Sequence, residues 1–233
     1  MKMKFLFIIF VMAVTLTSYG QKEEVVKKMV EYGYSEKDLD IKISQEDPNY
    51  SFKMRTTTKT NDDTSVEEAS FDPTRAEGQK WKIETVNGNA PSSKEMKNFN
   101  KAHNGKKQDI QGEVSDDYNI TEDNDKFFIL KFRYDPSSLR KKDEYLANCH
   151  GLAFFNKGTK RIDKVEFLND GELKIKIFKI TKLDMIQNLN YNAADNEYFI
   201  DTETILMKAK LLGQIVTIEE VLEYYDYKKV GIH

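Results

Sequence analysis

Apolar residues along most of this chain recur at every second position, the period of a strand with one dry and one wet face. After the turn-forming Asp47-Pro48-Asn49, Tyr50, Phe52 and Met54 alternate with Ser51, Lys53 and Arg55. Further strands are predicted at 66–71 and 81–84, with Asn87-Gly88 as a turn. From Lys126 to Tyr134, one face holds Phe128, Leu130, Phe132 and Tyr134, and the other ends in Lys131 and Arg133. Val165 and Phe167 lead into a hairpin turn at Asn169-Asp170-Gly171, beyond which Leu173, Ile175 and Ile177 alternate with Glu172, Lys174 and Lys176. Phe178 and Ile180 then take over the apolar phase, a one-residue slip that reads as a β-bulge. Two long strands, Tyr198 to Leu212 and Ile215 to Tyr227, hinge at Gly213, although Glu219 to Tyr225 also fits a helical turn. Leu39, Ile41 and Ile43 predict one more strand.

Helical spacing interrupts this pattern in a few places. Val25, Val26, Met29 and Val30 repeat at that spacing and end at Gly33, predicting a short amphipathic helix. Ser92 and Glu95 stand at capping-box spacing ahead of Met96, Phe99 and Ala102 or His103, with Asn104-Gly105 as the stop. A further short helix is predicted from Ser138 to Leu146. The fold class is therefore mainly β: one strongly curved antiparallel sheet, or an incomplete barrel, with two or three short covering helices. A sheet of about eight to eleven strands must curl, because twist accumulates at roughly 20° per strand pair.

The first twenty residues are read differently. Lys2 and Lys4 precede an apolar run from Phe5 to Val14 and a small-residue site at Ser18-Tyr19-Gly20, the layout of a cleavable secretory signal. Ten apolar residues make a helix of roughly 15 Å, about half a bilayer's hydrocarbon core. Cleavage after Gly20 leaves Gln21 where a lipoprotein would need its acylated cysteine, so a periplasmic or secreted protein without a lipid anchor is expected. It is read as one domain, 21–233, since no Pro-rich or Gly/Ser-rich linker divides it.

Loss of Lys2 and Lys4, with no acid lost, would change the net charge from −3 to −5. Charges of both signs are interspersed, without the clustered Lys and Arg that phosphate backbones require, which argues against nucleic acid as a partner. Cys149 is the single cysteine, so no internal disulfide can form.

Few residues suggest chemistry. Cys149-His150 has the residue types of a nucleophile and base, but strand neighbours point to opposite faces, and a buried structural cysteine beside a surface histidine is the simpler reading. His103 and His233 lack ligand spacing. Asp123-Asn124-Asp125 groups hard oxygen ligands without the glycine and closing glutamate of a calcium loop. Neither an enzyme nor a metal or cofactor site is expected. The wealth of apolar side chains on strand faces reads as core, or as a core with a hollow for an apolar ligand. The candidate lining is Phe52, Met54, Trp81, Met96, Phe99, Phe128, Leu130, Phe132, Ile175 and Ile177. Met54, Met96 and Met207 add adaptable thioethers.

Ala69-Ser70-Phe71-Asp72-Pro73, Gly78-Gln79-Lys80-Trp81 and Asn87-Gly88-Asn89-Ala90-Pro91-Ser92 resemble uncharacterised exported bacterial proteins related to the LolA/LolB group of periplasmic lipoprotein carriers. The resemblance covers most of the mature chain in plan, and its residue-level motif runs from Ala69 to Ser92. It implies an incomplete barrel whose open side is covered by helices, enclosing a cavity for acyl chains, with Met96 and Phe99 facing it. An arginine gates that cavity in the carriers, and Arg55 is the candidate here.

Two functions follow. One is a non-enzymatic carrier that holds a lipid, a lipoprotein acyl chain or another apolar ligand between sheet and helices, as a monomer. The other is an interaction module of the cell envelope with a filled core, whose partner is an envelope protein docked on an open strand edge or the acidic surface.

Overall fold

A computed structural model describes residues 22–35, 48–104, 113–141, 143–175, 178–211 and 213–231, with the side chain of Leu211 left aside. The expected signal at 1–20, the strand through Leu39, Ile41 and Ile43, Gly105 and Ile177 lie outside the described residues. The protein is mainly β: among the described residues, eleven strands belong to one antiparallel sheet that does not close into a barrel, accompanied by two α-helices. The chain divides into two compact units: Met1–Lys42 with Gln111–Val165, and Ile43–Ile110 with Glu166–His233.

In the first unit, helix α1 (22–31) ends as its sequence predicts. Gly33 takes φ +82°, the Tyr34 N–H donates to Met29 O at 2.9 Å and the Gly33 N–H to Val30 O at 3.0 Å. This paired closure satisfies carbonyls that the helix end would leave open. Val25 and Met29 are buried on its inner side. The strands of this unit are β4 (Asn119–Asp123), β5 (Phe127–Phe132), β6 (Cys149–Asn156) and the start of β7 (Arg161–Asn169). β5 pairs with β4 on one side and β6 on the other, setting Phe128 opposite Phe155 and Phe132 opposite Gly151. Tyr32 meets the Phe128 ring at 5.9 Å and Tyr34 meets Phe155 edge-on at 4.9 Å, so α1 is held by aromatic contacts with this pair.

A charged clamp adds to that hold. Asp123 accepts from Lys28 Nζ at 2.6 Å, from the Tyr32 hydroxyl at 3.0 Å and from Lys157 Nζ, tying α1, the end of β4 and the β6–β7 turn together. Bonds from Lys157, then Lys28 and Tyr32, hold the Asp123 carboxyl far below the usual carboxylate range.

The second unit orders its strands β3-β2-β1-β11-β10-β9. These are β1 (Tyr50–Lys59), β2 (Thr64–Phe71), β3 (Trp81–Val86), β9 (Phe178–Asn192), β10 (Glu197–Leu211) and β11 (Gln214–Lys229). Alternation in β1 follows the sequence, with Tyr50, Phe52 and Met54 buried. The turn at Asn87-Gly88 takes φ +50° and +76°, and Val86 and Asn89 close it as a bridge. The stretch Glu219 to Tyr225 is strand, fully within β11.

Three predicted details are corrected. Short β8 (Leu173–Ile175) pairs antiparallel with β9, Ile175 opposite Phe178, so the apolar phase slip marks a reversal of the chain and not a bulge. The Asn169-Asp170-Gly171 turn leads to β8, yet β8 pairs with β9 and not with β7. Between Ser138 and Leu146 there is no α-helix among the described residues, only 3-10 turns at Pro136–Ser138 and Glu144–Asn148. Leu139 adopts extended ψ 136°, and the Asp135 side chain caps the first turn at the Ser137 N–H, closing it as a unit.

Candidate functional site

Helix α2 (Ser93–His103) starts at the predicted capping box: Ser92 Oγ accepts from the Glu95 N–H at 3.3 Å, and the Glu95 carboxylate accepts from the Ser92 N–H at 2.7 Å. The Ser92 hydroxyl, donating to the same carboxylate at 2.6 Å, and then the Ser92 N–H hold the Glu95 carboxyl below its ordinary range. At the other end, the Asn104 amide bonds both backbone groups of Trp81, accepting from N–H at 3.0 Å and donating to the carbonyl at 2.9 Å. The helix end is thereby fixed to strand β3.

Under α2, Phe52, Met54, Phe71, Trp81, Ile83 and Phe99 form one buried cluster. Its rings interlock: Phe52 lies 5.0 Å from Phe71 and 5.4 Å edge-on from Trp81, and His103 stacks on Phe99 at 4.2 Å. Such pairs contribute about 0.5–1.5 kcal/mol each beyond simple burial. Beside the cluster, a cleft of about 340 Å³ opens along α2 and β3, with Trp81, Ile83 and Met96 as its apolar wall and Arg75, Lys82 and Asn100 among its polar groups. Met96 is 41% exposed, an uncovered thioether at this cleft.

The ten residues expected to line an apolar cavity separate in the structure. Phe52, Met54, Trp81 and Phe99 come together in the cluster, and Met96 reaches the adjoining cleft. Phe128 and Leu130 are fully buried in the first unit, where Phe132 is half-buried. Ile175 is half-buried on β8. Arg55 bonds Glu68 at 2.8 Å, and β1 alternation places it on the face opposite Met54.

A second, larger cleft escaped the sequence reading. The β10–β11 ladder runs from Leu211 opposite Gln214 to Thr202 opposite Glu223, and the register given for the pair ends there. At that point β10 carries an extra residue, Asp201, between Ile200 and Thr202 relative to β9. Near the same level the β1–β11 register shifts, and Asp226 turns to φ +57°. Bulges of this kind bend strands and re-aim side chains. A cleft of about 440 Å³ lies here, walled by Asn190 to Asn192, Phe199 to Asp201, Tyr224, Tyr225 and Tyr227. The Tyr227 hydroxyl spans the opening to donate to Ile200 O at 2.8 Å, and its ring lies 4.6 Å from Phe199. Burial, then the charge of Asp201, pushes the Tyr227 phenol well above its ordinary value. The signal in the sequence was Tyr224-Tyr225-Asp226-Tyr227, where aromatic residues break the period of two.

No family model, curated protein or solved structure matches the chain.

Among the described residues, no group of three or more His, Cys, Asp or Glu stands as metal ligands would, and no helix is long and apolar enough to cross a membrane. Cys149 is buried, its thiol 3.7 Å from the Tyr145 carbonyl, and His150 is half-buried at the next strand position. Chemically, both clefts offer adsorption on apolar walls with a few polar contacts at the margin.

Proposed function

We propose that this is a non-enzymatic periplasmic binding or carrier protein whose α2–β3 cleft takes a lipid, acyl chain or similar apolar ligand. The observation that carries the reading is Met96, exposed on α2 beside Trp81 and Ile83 in an open cleft of about 340 Å³. That volume falls within the roughly 300–1,000 Å³ of small-molecule sites. Each methylene removed from water would contribute about 0.8 kcal/mol. Lys82 and Arg75 at the cleft would favour a ligand with an anionic end, such as a fatty acid.

The test is direct. The mature protein, purified gently, is analysed by native mass spectrometry for retained lipid and titrated with a fluorescent fatty acid, while emission from the sole tryptophan, Trp81, is followed. Saturable binding that alters Trp81 emission and weakens in Met96→Asp supports the reading; clean protein that ignores fatty acids overturns it.

The interlocked rings of Phe52, Phe71, Trp81 and Phe99 favour a second reading, an envelope interaction module with a filled core. Cross-linking in intact cells that yields one defined protein partner, with no fatty-acid binding, would select it.

A further inference from the structure

We propose that the tyrosine-walled cleft where β10 and β11 part is a binding site for an organic cation bearing a substituted ammonium group. The site is separate in sequence and chemistry from the α2–β3 cleft, and neither proposal depends on the other.

Its walls combine aromatic rings with a single acidic side chain. Tyr191, Phe199, Tyr224, Tyr225 and Tyr227 supply the rings, and Asp201 is the one acidic lining residue. Aromatic faces attract cations, Tyr and Phe among them, and do so best where water is partly excluded. Tyr224 is buried against Phe52, whereas Tyr225, its neighbour on the other face of β11, is 36% exposed and is the ring most open to an incoming ligand.

The carboxylates around the cleft are not equivalent. Asp226 holds Lys53 at 3.2 Å, and Asp195 holds Lys229 and accepts from the Tyr50 hydroxyl. Asp201 is exposed, and among the described residues no lysine or arginine pairs with it. An external cation would supply the missing counter-charge.

Other ligand classes fit less well. An anion would meet the charge of Asp201. A neutral sugar could use the Asn190 amide but would leave the charge of Asp201 unmatched, and Asn192 is committed on both sides, accepting from the Ala194 N–H at 3.0 Å and donating to Asp195 at 3.0 Å. The Tyr227 hydroxyl is likewise engaged with Ile200 O.

Calorimetry on the whole mature protein tests the proposal with choline chloride and its neutral carbon isostere 3,3-dimethyl-1-butanol, at matched ionic strength. Choline should bind at least about tenfold more tightly than the isostere, and Asp201→Asn should abolish that preference. Tyr225→Ala should weaken choline. Phosphatidylcholine vesicles form a further arm: competition with choline assigns the site to a lipid headgroup, and no competition assigns it to a free cation, the cation site standing in both cases. Equal affinity for choline and isostere, an Asp201→Asn protein that keeps the preference, or no binding of choline would each overturn the proposal. The first comparison needs no variant, so it stands even if a substitution harms folding.

Discussion

The ring of Phe132 lies over Gly151 on the neighbouring strand, so close that a β-carbon built on the glycine would stand 2.1 Å from Cζ. Gly151 is therefore required by close approach and not by backbone conformation. Gly151→Ala should destabilise the protein by about 1–3 kcal/mol, because the half-buried ring must move aside. Urea unfolding measures this, and in a Phe132→Ala background the penalty should largely vanish. An equal penalty in both backgrounds would contradict the close approach.

Asn104 completes the hydrogen bonding of Trp81 from outside the sheet. Asn104→Ala should cost about 1–3 kcal/mol, the range for leaving buried backbone groups unpaired. Asn104→Asp, which can still accept from the Trp81 N–H, should fall between wild type and alanine. Denaturant midpoints rank the three, and the Trp81 emission of the alanine variant should shift toward that of water-exposed indole.

The Asp123 clamp makes stability depend on acid. Its folded carboxyl sits far below the unfolded value, so the clamp contributes fully above the unfolded carboxylate range, near pH 4, and is lost as pH falls through the folded value. At pH 7, Asp123→Asn should be less stable than wild type. The gap should narrow progressively below about pH 4, as thermal unfolding across pH would show. A constant gap down to strong acid would mean the clamp is not the cause.

Much of the fold was legible because strand faces and helix ends obey short-range rules. Tyr50, Phe52 and Met54, the Gly33 stop and the Ser92–Glu95 box need only neighbours within a few residues. The partner of β8 was not legible, since both a bulge and a reversal produce the same slip at Phe178. Site residues were harder for the same reason. An apolar strand position such as Phe128 looks identical whether it packs under α1 or lines a hollow, and only distant elements decide. The tyrosine cleft arises from irregularities in separate strands, at Asp201 and around Asp226, whose proximity is set by the long β10–β11 hairpin.

Cys149 should behave as an inert thiol. Its burial predicts no reaction with a thiol reagent in native buffer and stoichiometric labelling after unfolding in urea. Rapid native labelling would place the sulfur in the open.

The extra residue at Asp201 bears on how this chain can change over time. Ile200 and Thr202 already stand opposite the consecutive residues Leu189 and Asn188, so losing that single codon would straighten the ladder and leave the dry and wet faces of both arms of β10 as they are. The register would tolerate such a deletion, and what it would erase is the local bend beside which the tyrosine cleft opens.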